Sequence, residues 1–98
     1  MDGFDIRFER RNSVVGRVTE GSAFLLDESG KRVYTLNRLE TYVWGLLEDP
    51  SSLGDIVTKV CHKFQVSEEV ARGSTRGFLD ELAQKGIVRV LDRATERR

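Results

Sequence analysis

The run RVYTLNRLETYVWGLL, residues 32–47, changes its period at a single asparagine. Before that point Tyr34 and Leu36 alternate with Val33 and Thr35, the spacing of an extended strand. After it the spacing is helical. Asn37 is a good N-cap, and Glu40 stands three residues on, where it can reach back in a capping box. Leu39, Val43, Leu46 and Leu47 then form an apolar stripe, with Tyr42 and Trp44 on its flanks, and Asp49-Pro50 stops the helix. A strand that must end and a helix that must begin on one residue leave the chain little freedom. The helix has to fold back onto the sheet that the strand belongs to.

The segments before this run have strand period. Phe4, Ile6 and Phe8 alternate with charges. Residues 14–18 and 23–27 are short β-prone runs separated by Thr19-Glu-Gly-Ser22, and Glu28-Ser-Gly30 is the next turn. The segments after it have helical period. Ser52 with Asp55 repeats the capping signal ahead of Leu53, Ile56, Val57, Val60 and Phe64. A third start falls at Ser67, with Glu68 and Glu69 in the positively polarised first turn. That helix is expected to reach about Lys85, with Gly86 as its C-terminal cap. Ile87 to Leu91 reads as a short apolar tail. The order is strands first, then three helices, so the expected class is α+β, a sheet packed on a helical bundle. The expected division is an N-terminal arm (residues 1–12), one domain (residues 13–91) and a charged tail read as disordered (residues 92–98).

Ninety-eight residues allow one modest core. Sixteen basic residues balance sixteen acidic ones, which argues against a dedicated nucleic-acid binder, since those usually carry a basic excess. One cysteine excludes an internal disulfide. With no signal-peptide order at the N-terminus and no membrane-length apolar run, the expected location is the cytoplasm. Catalytic chemistry is not legible. Cys61-His62 has no second pair to complete a zinc site, Cys61 beside the apolar stripe reads as a structural thiol, and His62 reads as a surface residue. No phosphate-cradling glycine loop follows a strand. The chain is expected not to be an enzyme and to need no cofactor or metal.

On a wheel at about 100° per residue, the third helix gathers Ala71, Thr75, Phe78 and Leu82 on its core face. Arg72, Arg76, Leu79 and Ala83 line one shoulder. That shoulder is either a solvated face or a groove wall whose arginines read acidic groups. Gly73 and Gly77 fall on the far face. Similarly, the exposed sheet edge is either blunted by Lys31 and Arg32 or open to strand addition.

Gly21-Ser-Ala-Phe-Leu-Leu-Asp27, then Gly30 and Tyr34-Thr-Leu-Asn37, resemble the PqqD family, the peptide-binding modules also called RiPP recognition elements. The resemblance continues through Val43-Trp44, Leu53-Gly-Asp-Ile-Val57 and Phe64-Gln-Val66 to Phe78-Leu-Asp-Glu-Leu82 and Gly86-Ile-Val88. It implies a winged-helix-like fold, a three-stranded antiparallel sheet followed by three helices. It also implies a non-catalytic peptide chaperone. The leader of a ribosomally made precursor peptide would add to the third strand, beside the third helix. The module would then present it to a maturation enzyme such as a radical SAM enzyme or a leader peptidase. Carried onto this chain, one wall is Lys31, Arg32, Val33, Tyr34, Thr35 and Leu36. The other is Arg72, Arg76, Leu79 and Ala83, with Thr75 as floor, and the two arginines would favour acidic leaders. Ser74 and Thr75 depart from the family pattern, and residues 4–8 lie outside the matched region. Those residues would form an additional strand, cover the groove or exchange between subunits of a homodimer. The competing expectations are a winged-helix DNA-binding domain and a structural dimerisation module.

Overall fold

The computed structural model describes residues 6–11, 14–19, 22–28 and 31–91. The expectations for residues 4–5, for Glu20-Gly21 and Ser29-Gly30 in the two turns, and for the tail at residues 92–98 lie outside the described residues.

Strands β2 (Val14–Thr19), β3 (Ser22–Asp27) and β4 (Arg32–Leu36) form an antiparallel meander in the order β2-β3-β4. Period-two alternation decides its faces. On β3, Ala23, Leu25 and Asp27 are buried while Phe24 and Leu26 are exposed; on β4, Leu36 is buried and Tyr34 half-buried, while Val33 and Thr35 face out. Helix α1 (Arg38–Leu46) begins as its capping box requires. The Glu40 amide donates to Asn37 Oδ1 at 2.8 Å and the Asn37 amide donates to Glu40 Oε1 at 2.9 Å. Helices α2 (Leu53–Phe64) and α3 (Glu68–Gln84) start at the Ser52 and Ser67 caps, and α3 is followed by Gly86 at φ 77°, a left-handed conformation that favours glycine. The fold is thus a winged-helix-like α+β domain, the sheet preceding three helices.

Two regions differ from the sequence expectation. Residues 88–91 are not a tail but a strand, β6 (Val88–Leu91), in a second antiparallel sheet. Its partner is β1 (Arg7–Arg10), which runs between β6 and the short β5 (Ser51–Ser52). Backbone bonds from the Leu53 amide to the Ile6 carbonyl (2.8 Å) and from the Arg11 amide to the Ile87 carbonyl (3.1 Å) pin both ends of β1, and Phe8 enters the core at 1% exposure. The described part of the arm therefore pairs as a strand of its own chain and does not cover the edge of β4.

The second difference concerns Trp44. It is not on a flank of α1 but in the core, 2% exposed. Its indole lies against β2 where the strand carries Gly16: a Cβ added there would stand 2.5 Å from Trp44 Nε1 and 3.3 Å from Leu25 Cδ2. The indole is rigid and walled in, so neither group can give way cheaply. Gly16→Ala is expected to lower unfolding free energy by about 1–3 kcal/mol, read as a fall in denaturant midpoint at unchanged slope. An unchanged midpoint would show that the ring has room to move.

Candidate functional site

Because β4 pairs only with β3, its other side is a free strand edge among the described residues. Beside that edge lies a pocket of about 90 Å³, with Tyr34, Thr35 and Leu36 on the strand side and Phe78, Glu81 and Leu82 on the α3 side. Lys85 at the end of α3 and Glu40 in the first turn of α1 complete it. The sequence builds this arrangement locally. Phe78 and Leu82 stand four apart, on one face of the helix, and make an apolar floor at 7% and 3% exposure. Glu81, their neighbour on the wheel, reaches the mouth. Lys85, one turn on, bonds Glu81 at 2.7 Å and places its ammonium 5.2 Å from the centre of the Tyr34 ring, within cation–π range.

The expected strand wall and the expected helix wall fare differently. Residues 32–36 form β4 as read, and three of them line the pocket. Lys31 precedes the strand in a turn, at φ 54°. On α3 the pocket beside β4 does not lie on the expected shoulder. Leu79 is fully buried and belongs to the core, Ala83 is partly buried against the core, and Thr75 is fully buried with its hydroxyl unpartnered among the described residues. Arg72 is exposed and Arg76 half-exposed, and Arg76 holds Asp80 in an i,i+4 pair at 3.1 Å. At about 100° per residue these arginines sit roughly opposite Glu81 and Lys85 on the helix. The groove side of α3 is therefore Phe78, Glu81, Leu82 and Lys85. Phe78 and Leu82 were legible as core, and Glu40 was legible only as a cap.

Two larger hollows lie elsewhere. One of about 590 Å³ runs along α2 past Asp55, Thr58, Cys61 and His62 to Glu68. It takes no residue from β4, and among the described residues no group of three His, Cys, Asp or Glu could hold a metal ion. The other, about 480 Å³, is lined by Glu9, Arg10, Arg11, Glu48 and Arg89 among others, with Arg89 and Glu9 paired at 3.3 Å. Arg10 stacks over the Trp44 ring, 4.2 Å from its centre, and donates from Nη2 to the Trp44 carbonyl. Burial pushes the Arg10 guanidinium below its ordinary pKa, against the opposing pull of Glu48. We place the functional site at the smaller pocket because there, among the described residues, an apolar floor adjoins the unpaired edge of β4. No helix among the described residues is long and apolar enough to cross a membrane.

These features define a class: a small α+β module whose open strand edge runs beside its last helix. The chain belongs to the PqqD family, whose model, described as coenzyme PQQ synthesis protein D, matches residues 22–88. That span holds both walls of the groove. The solved structure "TbiB1 in Complex with the TbiA(beta) Leader Peptide" is similar in fold, with a TM-score of 0.76 over 82% of this chain and 93% of that one, at 24% sequence identity. Among curated proteins none matches by sequence.

Proposed function

We propose that this chain is a non-catalytic peptide chaperone. It takes the leader of a ribosomally synthesised precursor as an added strand on β4 and presents it to a modifying enzyme, of which a radical SAM enzyme or a leader peptidase would be examples. One observation carries the reading: the unpaired edge of β4 borders an apolar pocket, so a strand laid along it would satisfy its backbone and bury alternate side chains together. Family membership and a structural neighbour solved with a leader peptide support it. A duplex-reading role draws no support from α3, where Glu68, Glu69, Asp80 and Glu81 stand among the arginines and Arg76 is paired with Asp80.

The test is a titration of isotope-labelled protein with the leader encoded by a short reading frame beside this gene. Amide shifts are expected to concentrate at residues 32–36 and 78–85 and to spare Arg72 and Arg76. Shifts confined to the α2 hollow, or none at peptide concentrations up to about 1 mM, a binding free energy of only about −4 kcal/mol, would overturn the reading.

A further inference from the structure

The groove mouth contains a seat for a cation. The Tyr34 ring offers its negative face, and carboxylates stand near it on two different helices. Glu40 bonds the Asn37 amide through Oε1 at 2.9 Å and has no partner for its other oxygen among the described residues. Among the described residues the Glu81 carboxylate bonds only Lys85. In the free protein the chain's own Lys85 ammonium occupies this seat, between Glu81 and the ring. Its hold is weak: both side chains are substantially exposed, at 35% and 59%, and exposed pairs of this kind contribute little. Among the side chains that line the pocket, two carboxylates face one ammonium.

Resting on the peptide-binding reading above, we infer that Lys85 is a placeholder and that the seat reads a basic side chain of the bound leader. This reverses the preference for acidic leaders expected from Arg72 and Arg76, which face away from the groove. The floor beside the seat sets the second requirement. The pocket of about 90 Å³ over Phe78 and Leu82 is small beside the cavity of about 150 Å³ that holds a benzene ring, and it suits an aliphatic side chain. Residues i and i+2 of a strand point the same way, about 7 Å apart. An added strand with an aliphatic residue over Phe78 and Leu82 thus places its neighbour two positions away further along the groove mouth, which Glu40 and Glu81 border. The motif read by the groove is an aliphatic residue and a lysine or arginine separated by one residue.

Selection of displayed random 12-residue peptides on the folded protein tests this without knowledge of the natural leader. Recovered peptides that shift the amides of residues 32–36 are expected to carry this spacing about threefold above library frequency. On the Glu40→Gln/Glu81→Gln variant the basic preference should vanish while the aliphatic one persists. Glutamine at position 40 still serves the capping box, so the fold is retained. Peptides selected on the wild type should bind Lys85→Ala about threefold more tightly, the size of effect an exposed pair allows. Recovered peptides with an acidic bias or no charge bias would sink the inference and leave strand addition intact. If no recovered peptide touches β4, the peptide-binding reading falls as well.

Discussion

Trp44→Ala is expected to lower the melting temperature by at least about 12 °C. The indole is buried in α1, its edge fills the space that Gly16 leaves in β2, and Arg10 from the other sheet covers its face. One side chain therefore joins α1, the β2-β3-β4 sheet and β1. Truncating a buried tryptophan costs about 3–5 kcal/mol. Domains of this size hold only about 5–15 kcal/mol in total, and each kcal/mol moves the melt by about 4–8 °C. Trp44→Phe should fall between, because a smaller ring retains part of the packing.

Arg10→Met makes the informative contrast. The Trp44 carbonyl that Arg10 reaches also accepts from the Leu47 amide at 3.1 Å, so it would keep a partner. Methionine would remove a guanidinium that burial penalises and whose Nε has no acceptor among the described residues. A change within about 1 kcal/mol is expected, in keeping with the near-neutral replacement of buried charges by apolar groups. The sign with pH follows from the lowered pKa. Folding weakens proton binding at Arg10, so its contribution would rise only as the solution approaches the arginine range. Between about pH 5 and 9 the wild type and Arg10→Met should differ by a constant amount. A melt of Trp44→Ala within about 5 °C of wild type would show that the ring is not the joint described.

The residues that were legible in the sequence are those whose signal is local. The three caps at Asn37, Ser52 and Ser67 lie where side chain and backbone are three residues apart, and all three accept from the expected amides. Alternation on β4 set Tyr34 and Leu36 on one face for the same reason. The features that were not legible depend on partners far along the chain. Val88-Arg-Val-Leu91 becomes a strand only because Arg7–Arg10 is there to pair with it, and nothing in four residues after a helix announces that partner. Trp44 becomes core because Arg10, distant in sequence, closes over it.

The third helix shows a different failure. Periodicity locates an apolar stripe but is symmetric about it, so the two shoulders are equivalent until the position of β4 is known. Arg72 and Arg76 mark one shoulder as a candidate groove wall. The pocket beside β4 lies on the other shoulder, with Glu81 and Lys85. Leu79 falls on the arginine shoulder by the wheel, but α2 also packs on α3, and the buried face extends to include it. Family resemblance named the groove but could not choose its side.

Of two proline substitutions in β4, one is expected to abolish peptide binding in a folded protein and the other to destabilise the sheet. In an antiparallel pair, residues alternate between those that direct N–H and C=O to the partner strand and those that direct both away. Val33 and Tyr34 are consecutive on β4 and register with Leu26 and Leu25 of β3, so one amide points to β3 and the other to the free edge. Proline removes an N–H and is tolerated in a sheet only where that N–H faces outward on an edge strand. The outward substitution leaves the β3 ladder intact, so the protein should melt within a few degrees of wild type. Yet it takes a donor from any added strand and places a ring in its path. Affinity for a leader should drop by at least about tenfold, since a lost backbone hydrogen bond is worth about 1 kcal/mol and the clash adds to it. Tyr34→Ala separates the side chain from the backbone: it should weaken binding less than an outward-facing Tyr34→Pro, or leave the protein far more stable than an inward-facing one. The two prolines must therefore split, one reporting on stability and one on binding. If the folded variant binds leader as the wild type does, the peptide does not enter by strand addition to β4.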